Sequence, residues 1–183
     1  IYAARDERGF RPLCLGWHAE TSSYIVASES CALSAIGAEF IRDVKPGEVL
    51  RITKGVVESH IFAKSDRAAH CAFEYTYFAN PSSTIDGVNV YEARKRLGKE
   101  LARLYKVEAD VVIPVPDSAR PAALGFSQVT GIPLEEGLMK DRYSKKGGLR
   151  SFIEPTLRSR LEINRWVMPV EHVVCGKNVV LID

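Results

Sequence analysis

Hydrophobic and polar positions along the chain follow two different patterns. Residues 1–65 carry short apolar or alternating runs, such as RPLCLGW, YIVASES and VLRI, separated by polar turns. Runs of this kind predict β-strands. The stretch SCALSAIGAEF predicts a short helix, with Ser30 as a candidate N-cap and Gly37 near its end. The first part of the chain is therefore predicted to be a layered α+β structure.

After the polar stretch KSDRAAH, which runs from Lys64 to His70, the pattern changes to amphipathic and fully apolar segments. VYEARKRLGKELARLY places Val90, Ala93, Leu97, Leu101 and Leu104 on one helical face, with charged residues on the opposite, solvated face. VVIPV and NVVLID are nearly all apolar, which is typical of strands covered on both faces. A helix is predicted after PDS, and the order strand, helix, strand indicates an open parallel sheet. We predict a domain boundary at 65/66 and an α/β domain over residues 66–183.

Composition narrows the class of protein. The 183 residues are 46% hydrophobic and 26% charged, values typical of globular proteins, and the net charge of +2 predicts no nucleic-acid partner. No apolar run approaches the roughly 20 residues of a transmembrane helix, so no membrane partner is expected. The four cysteines are scattered without a C-x-x-C pair, which favours a reducing, cytoplasmic location. The chain starts without Met and stops at the end of an apolar strand, so we expect a fragment lacking both ends.

Polar groups follow two of the predicted strands at the point where each strand ends. Asp117 and Ser118 come after VVIPV, and Asp183 ends NVVLID. Ligands of open α/β sheets bind beyond the carboxyl ends of the strands. A helix that starts after Ser118 offers free N–H groups suited to phosphate, and a carboxylate beside it can hold a hard cation or accept from ribose hydroxyls. Alternatively, Asp117 and Ser118 only cap the helix, and spacing alone leaves both readings open.

Longer segments resemble, in the same order, segments of the amidophosphoribosyltransferase family, the glutamine phosphoribosylpyrophosphate (PRPP) amidotransferases. CAFEYTYFANPSSTIDGVNVYEARKRLGKELA and VVIPVPDSARPAALGFSQVTGIPLEEGLMKDRY carry most of the resemblance. AARDERGFRPLCLG, VASESCALSAIGAEFIRDVKPGE and GKNVVLID are similar to further segments, so the resemblance covers nearly the whole chain. It implies that residues 1–65 are the C-terminal part of a glutaminase domain of the N-terminal-nucleophile (Ntn) hydrolase fold. Residues 66–183 would be the first part of a type I phosphoribosyltransferase domain with a parallel sheet, truncated at the PRPP motif.

The resemblance implies an enzyme that releases ammonia from glutamine and transfers it to PRPP. The product is 5-phosphoribosylamine, in the first committed step of purine synthesis. The family's nucleophilic cysteine is the first residue of the mature protein, so it is expected upstream of Ile1, and the fragment alone is expected to be inactive. Purine nucleotides as feedback inhibitors and a homotetramer are further expectations. The alternative is a divergent paralogue, either non-catalytic or of altered specificity, that keeps the architecture but binds nucleotide or a protein partner.

The resemblance also implies roles for particular residues of the second domain. Ser118 and Asp183 match magnesium-site positions, and Mg²⁺ prefers such oxygen ligands. Asp117 is a weaker candidate, for support or ribose contact. KDRYSKKGGLRSFIEP resembles a flap that closes over PRPP and excludes water, with an exposed basic loop as the alternative. The flap cations are Lys140, Arg142, Lys145, Lys146 and Arg150, and Gly147 and Gly148 would let the segment bend.

Two residues earlier in the chain match functional positions of the family. Tyr77 matches a residue that lines the ammonia passage between the two sites, although packing in an interdomain core is an equal alternative. Cys71 matches a cysteine that ligates a 4Fe–4S cluster in some members, whereas other members keep the cysteine without a cluster. Mg²⁺ is therefore the expected cofactor, and an iron–sulfur cluster is an optional second one.

The chain departs from the family pattern at three places. Asn80-Pro81-Ser82 stands where Arg-Pro-Asp is usual, and the flap carries the additional residues KKGGL. Trp166 falls where a pyrophosphate-binding lysine is usual, with Arg165 beside it. A tryptophan does not replace a point charge on phosphate. These departures bear on PRPP affinity and flap closure and leave the fold unchanged.

Overall fold

The computed structural model describes residues 1–140 and 167–183. The chain divides into two compact units, Ile1–Ala93 and Arg94–Asp183. Arg142, Lys145, Lys146, Arg150, Arg165 and Trp166, which carry predictions about the flap and the pyrophosphate site, lie outside the described residues.

Two three-stranded antiparallel sheets form the first unit. One sheet has the order β1-β5-β6 and the other β3-β2-β4. The strands are β1 (Tyr2–Ala4), β2 (Cys14–His18), β3 (Ser23–Ala27), β4 (Glu39–Asp43), β5 (Glu48–Thr53) and β6 (Val56–Ile61). A buried cluster of Leu15, Val44, Leu50 and Ile52 joins residues of both sheets, because the alternating apolar positions of their strands point to one core. The predicted strand-rich α+β structure is therefore present.

Helix α1 (Ser30–Ala35) packs through Leu33 against Cys14 and Ala38. The prediction that Ser30 is its N-cap was wrong. Glu29 occupies the N-cap position without a side-chain capping bond, and Oγ of Ser30 instead accepts the Thr84 N–H at 2.9 Å. A contact distant in sequence therefore takes the hydroxyl that local spacing assigned to the cap.

The first unit extends past the boundary predicted at 65/66. It includes a π-helical turn (Glu74–Phe78) and a hairpin of β7 (Thr84–Ile85) and β8 (Val88–Asn89). Both central hairpin residues, Asp86 and Gly87, have positive φ, as the Asp-Gly dipeptide of a type I′ turn requires. Two guanidinium nitrogens of Arg5 donate to the Asp86 carboxylate at 2.7 Å each. This ion pair joins the hairpin to β1's neighbour Arg5. The division between the two compact units falls at 93/94.

The second unit is built on a parallel strand pair. β9 (Val111–Pro114) and β12 (Val179–Ile182) align Val111 with Val179 and Pro114 with Ile182. The other elements among the described residues are α2 (Val90–Leu104), which begins in the first unit, α3 (Arg120–Thr130), β10 (Leu138–Lys140), β11 (Val167–Pro169) and α4 (Glu171–Val174). All four residues of β9 are buried, and Val112 joins Phe126 and Ile182 in one core cluster. The predicted parallel arrangement of VVIPV and NVVLID is confirmed.

Helices α2 and α3 cross at two glycines. A Cβ added to Gly98 would lie 1.8 Å from the Ala122 carbonyl oxygen, and one added to Gly125 would lie 2.0 Å from the Lys95 carbonyl oxygen. Only glycine permits two backbones to approach this closely. The side of α2 that carries Gly98 and Ala102 is therefore buried. On the predicted apolar face, Val90 is buried, whereas Leu97, Leu101 and Leu104 are 47%, 36% and 74% exposed in this chain.

Among residues 1–140 and 167–183, no helix is both long enough and apolar enough to cross a membrane.

Candidate functional site

The carboxyl ends of β9 and β12 lie side by side at one edge of the second unit. Pro114 pairs with Ile182, and the next residue, Val115, donates its N–H to the Ile182 carbonyl at 2.7 Å. Asp183 therefore leaves the sheet beside the turn that follows β9, and it is exposed to solvent. Asp117 and Ser118, both half-buried, lie in that turn. The predicted grouping of Asp117, Ser118 and Asp183 at one sheet edge is confirmed.

Two hydrogen bonds between Asp110 and Asn178, just before the two strands begin, fix this register. Asp110 donates its N–H to the Asn178 carbonyl at 2.9 Å. The Asn178 N–H in turn donates to a carboxylate oxygen of Asp110 at 2.8 Å. Both strands have four residues and begin at paired positions, so they also end at paired positions. The turn with Asp117 and Ser118 therefore lies next to Asp183.

The turn after β9 leads directly into α3. The N-cap of α3 is Ala119, whose methyl side chain makes no capping hydrogen bond. Neither Asp117 nor Ser118 therefore occupies the N-cap position, and the ligand role and the supporting role of these two residues both stay predictions. Pro121 lies in the first turn as predicted, and Gly131 ends the helix with φ of 74°. The positive end of the helix dipole thus lies at the same sheet edge as Ser118, which favours an anion there.

Arg120, the first residue of α3, lies between two carboxylates. Its Nη1 lies 3.1 Å from Oε1 of Glu136, and its Nε lies 3.5 Å from Oδ1 of Asp117. All three side chains are about half exposed. The Nε atom is itself shielded from solvent and has no hydrogen-bond partner among the described residues. Arg120 and Glu136 were missed by sequence reasoning, and the one available signal was a cation at the start of a helix.

Strands β10 and β11 flank the segment predicted to be the flap. Lys140, the last residue of β10, aligns with Val167 at the start of β11, and the pair is antiparallel. Residues 141–166, which include Arg142 and Arg150, connect these two strands and lie outside the described part of the chain. The flap assignment therefore stays a prediction for all of its cations.

Tyr77 lies in the π-helical turn of the first unit. The ring is half-buried, and its centroid lies 6.3 Å from that of Phe78 in an edge-to-face arrangement. The neighbouring Glu74 is buried beside Arg11, whose Nη2 lies 2.9 Å from its carboxylate. Burial raises the pKa of Glu74, whereas the charge of Arg11 opposes that rise. The role of Tyr77 as a channel residue is not tested by these contacts.

The described cysteines do not assemble a metal centre. Cys71 is buried, and among the described residues no three His, Cys, Asp or Glu side chains are grouped to hold a metal ion. Burial raises the pKa of the Cys14 thiol to about 11, so this cysteine stays protonated and unreactive at neutral pH. An iron–sulfur cluster would need ligands besides Cys71 from outside the described part of the chain. The cluster stays a prediction.

The donor atoms at the strand ends fit magnesium better than a soft metal. Ser118 supplies a hydroxyl and Asp183 a carboxylate, both hard oxygen ligands. Mg²⁺ keeps several waters and usually takes one or two protein ligands together with substrate phosphates. A partly exposed sheet edge with two oxygen donors leaves room for those further ligands.

The chain is similar over its whole length to curated proteins named amidophosphoribosyltransferase. It is 49% identical to the one from Archaeoglobus fulgidus over 188 residues, covering 100% of this chain and 39% of that protein. Identity is 45% to the Methanocaldococcus jannaschii protein over 199 residues, covering 100% and 41%, respectively. The chain therefore spans about two fifths of the length of the relatives that it matches. No protein-family model matches the chain.

Solved structures agree with the sequence comparison. The glutamine PRPP amidotransferase from Bacillus subtilis, complexed with ADP and GMP, matches with a TM-score of 0.82 and 44% identity. The match covers 98% of this chain and 38% of that one. A structure described as the allosteric regulatory enzyme of purine biosynthesis matches with a TM-score of 0.81 over the same shares. Along its whole length, the chain is thus homologous to about two fifths of the length of proteins named amidophosphoribosyltransferase.

Proposed function

We propose that the protein carrying this chain is a glutamine-dependent amidophosphoribosyltransferase. It transfers ammonia to PRPP and forms 5-phosphoribosylamine in the first committed step of purine synthesis. The observation that carries the proposal is identity of 45–49% to named amidophosphoribosyltransferases across the whole chain. The alternative, a non-catalytic paralogue, is not favoured, because the relatives reported above bear the enzyme's name.

We propose that the two units belong to the two domains of such an enzyme. The paired antiparallel sheets of the first unit suit the C-terminal part of an Ntn-hydrolase glutaminase domain. The parallel pair β9–β12 with α3 suits the start of a type I phosphoribosyltransferase domain. The solved structures that match at 44% identity, described as a PRPP amidotransferase and a regulatory enzyme of purine biosynthesis, support the family resemblance on which this assignment rests.

The proposed PRPP site lies at the carboxyl ends of β9 and β12. Ser118 and Asp183 would hold Mg²⁺, and the metal would supply charge neutralisation for the departing pyrophosphate. The start of α3 would orient the phosphate groups by its dipole and its backbone N–H groups. Asp117 would support the turn or contact ribose. Lys140, Arg142 and Arg150 of the flap would cover the bound PRPP and keep water from the reacting carbon.

Several further features of the whole protein are part of the proposal. Tyr77 would line the passage that carries ammonia from the glutaminase site. Purine nucleotides would act as feedback inhibitors, in keeping with the ADP and GMP bound to the Bacillus subtilis enzyme. A homotetramer, a cytoplasmic location and a 4Fe–4S cluster at Cys71 remain predictions of the family resemblance.

The proposed site is tested by magnesium-dependent PRPP binding to the full-length protein, measured by calorimetry on its Ser118→Ala and Asp183→Asn variants. Each variant is expected to weaken binding at least about tenfold, because each loses one metal ligand. Ser34→Ala and Asp66→Asn are matched controls, since both residues are exposed and lie in the first unit. Wild-type affinity in both site variants would remove these residues from the PRPP site. PRPP-dependent release of glutamate from glutamine by the wild-type protein separates the enzyme from a non-catalytic paralogue.

A further inference from the structure

Arg120 occupies a position that local physics disfavours. The first residue of a helix lies at the positive end of the helix dipole, where a cation is destabilising by about 0.3–1 kcal/mol. When a folded protein keeps a residue that is locally destabilising, other contacts of that residue are expected to offset the cost, often at a functional site. In this structure the compensation comes from two carboxylates, those of Asp117 in the preceding turn and Glu136 in the loop after α3.

The same two carboxylates are unfavourable for the proposed ligand. Asp117 directly precedes Ser118, at the sheet edge where the pyrophosphate of PRPP is proposed to bind. Like charges repel over the distances of a binding site, and less so when a counter-ion lies between them. The guanidinium of Arg120 contacts one oxygen of each carboxylate and so cancels one of the two negative charges.

We propose that Arg120 is a positioning residue of the PRPP site, which offsets one of the two negative charges of Asp117 and Glu136 so that the start of α3 accepts a polyanion. The inference rests on the proposed function, because it assigns a charge-balancing device to the same site. The contact to Asp117 lacks hydrogen-bond geometry, since Nε at 3.5 Å has no hydrogen-bond partner among the described residues. The Nε–H of Arg120 therefore makes no hydrogen bond to either carboxylate.

A purely structural role for Arg120 makes a different prediction. In that role the pair Arg120–Glu136 would only tether the loop after α3 to the first turn of the helix. Loss of either partner would then break the same tether and weaken PRPP binding in the same direction. Charge balance instead predicts opposite directions, because Glu136→Gln removes a negative charge from the group and Arg120→Gln removes a positive one.

The experiment measures the affinity of the full-length protein for PRPP by calorimetry. Mg²⁺ is present throughout, and the salt concentration is about 50 mM or about 500 mM. We expect Glu136→Gln to tighten binding about threefold to tenfold and Arg120→Gln to weaken it by a similar factor, with both effects reduced at high salt. Arg120→Lys keeps the charge but loses the fork that reaches both carboxylates, so it is expected to stay within about twofold of the wild type. Arg103→Gln is the matched control, because Arg103 forms an exposed i,i+3 pair with Glu100 near the end of α2.

The outcomes separate this inference from the proposed function. Weaker binding in both Glu136→Gln and Arg120→Gln, or a loss in Arg120→Lys as large as in Arg120→Gln, would assign Arg120 a structural tether and overturn the inference. If Arg120→Gln does not fold, the direction of the change in Glu136→Gln decides alone. A wild-type protein that does not bind PRPP would overturn the proposed function, and the inference with it.

Discussion

Glu48 allows a quantitative test of how a buried ion pair supports the first unit. Its side chain is 1% exposed, and Arg42 donates to both carboxylate oxygens, at 2.6 and 2.9 Å. The Lys45 N–H donates to one oxygen at 2.7 Å, and the Ser59 hydroxyl donates to the other. These bonds, that of Arg42 above all, lower the pKa of Glu48 from 4.5 to about 2 against the opposing effect of burial. The perturbation is Glu48→Gln, which removes the charge but keeps the shape.

A pKa lowered by this amount corresponds to about 3 kcal/mol of folding free energy, since each tenfold change in proton affinity is worth about 1.4 kcal/mol. The lowered value belongs to the folded state. The stabilisation is therefore fully present above pH 4.5 and is lost as the pH falls through 2. Because protonated Glu48 resembles the amide, Glu48→Gln should be about 3 kcal/mol less stable at pH 7 and nearly equal to the wild type below pH 2.

Urea denaturation from pH 7 to pH 2 measures this difference as the free energy of unfolding. Glu58→Gln is the matched control, because Glu58 is exposed and paired with Arg51 at 2.9 Å. Exposed pairs contribute at most about 1 kcal/mol, so this control should differ little from the wild type at any pH. A difference between wild type and Glu48→Gln that stays constant down to pH 2 would refute the reasoning. It would show that the loss of stability in Glu48→Gln does not come from the loss of the carboxylate charge.

Two further stability predictions concern close packing and buried charge. Gly98→Ala places a methyl group 1.8 Å from the Ala122 carbonyl oxygen, so we expect the free energy of unfolding to fall by at least about 2 kcal/mol, as measured by thermal denaturation. Arg96→Ala is the control, because Arg96 is exposed and its loss should change that free energy very little. Arg5→Lys should cost about 2–4 kcal/mol, because all five guanidinium N–H groups donate hydrogen bonds and an ammonium has only three. An unchanged melting temperature in either variant would contradict the packing or the bonding described above.

The helix α2 shows where hydrophobic periodicity stops being informative. Periodicity weighs side chains by their apolar character, so Leu97, Leu101 and Leu104 predicted the buried face. The contact with α3 is instead made through Gly98, whose lack of a side chain permits the close approach. Glycine contributes nothing to a hydrophobic pattern, although in this helix it determines which side is buried. The existence and length of α2 were predictable, whereas its contact face was not.

In the candidate site, too, some residues could be predicted from the sequence and others could not. Apolar runs that end in Asp117, Ser118 and Asp183 predicted the site, because parallel strands bring their carboxyl ends to one edge. The pair Arg120–Glu136 could not be predicted, since 16 positions separate the two residues and only the turn after α3 brings them together. The Ser30 cap failed for a related reason: Thr84, distant in sequence, takes the hydroxyl.

The sequence by itself determined the type of each main element, the parallel pairing of its two apolar strands and the oxygen-rich chemistry at their ends. These properties depend on backbone torsions and on burial, which neighbouring residues encode. Tertiary structure decided the division at 93/94, the glycine crossing of α2 and α3, and the placement of Arg120 between two carboxylates. Those features depend on which segments distant in sequence come into contact. The free energy of such contacts cannot be deduced from the pattern of neighbouring residues.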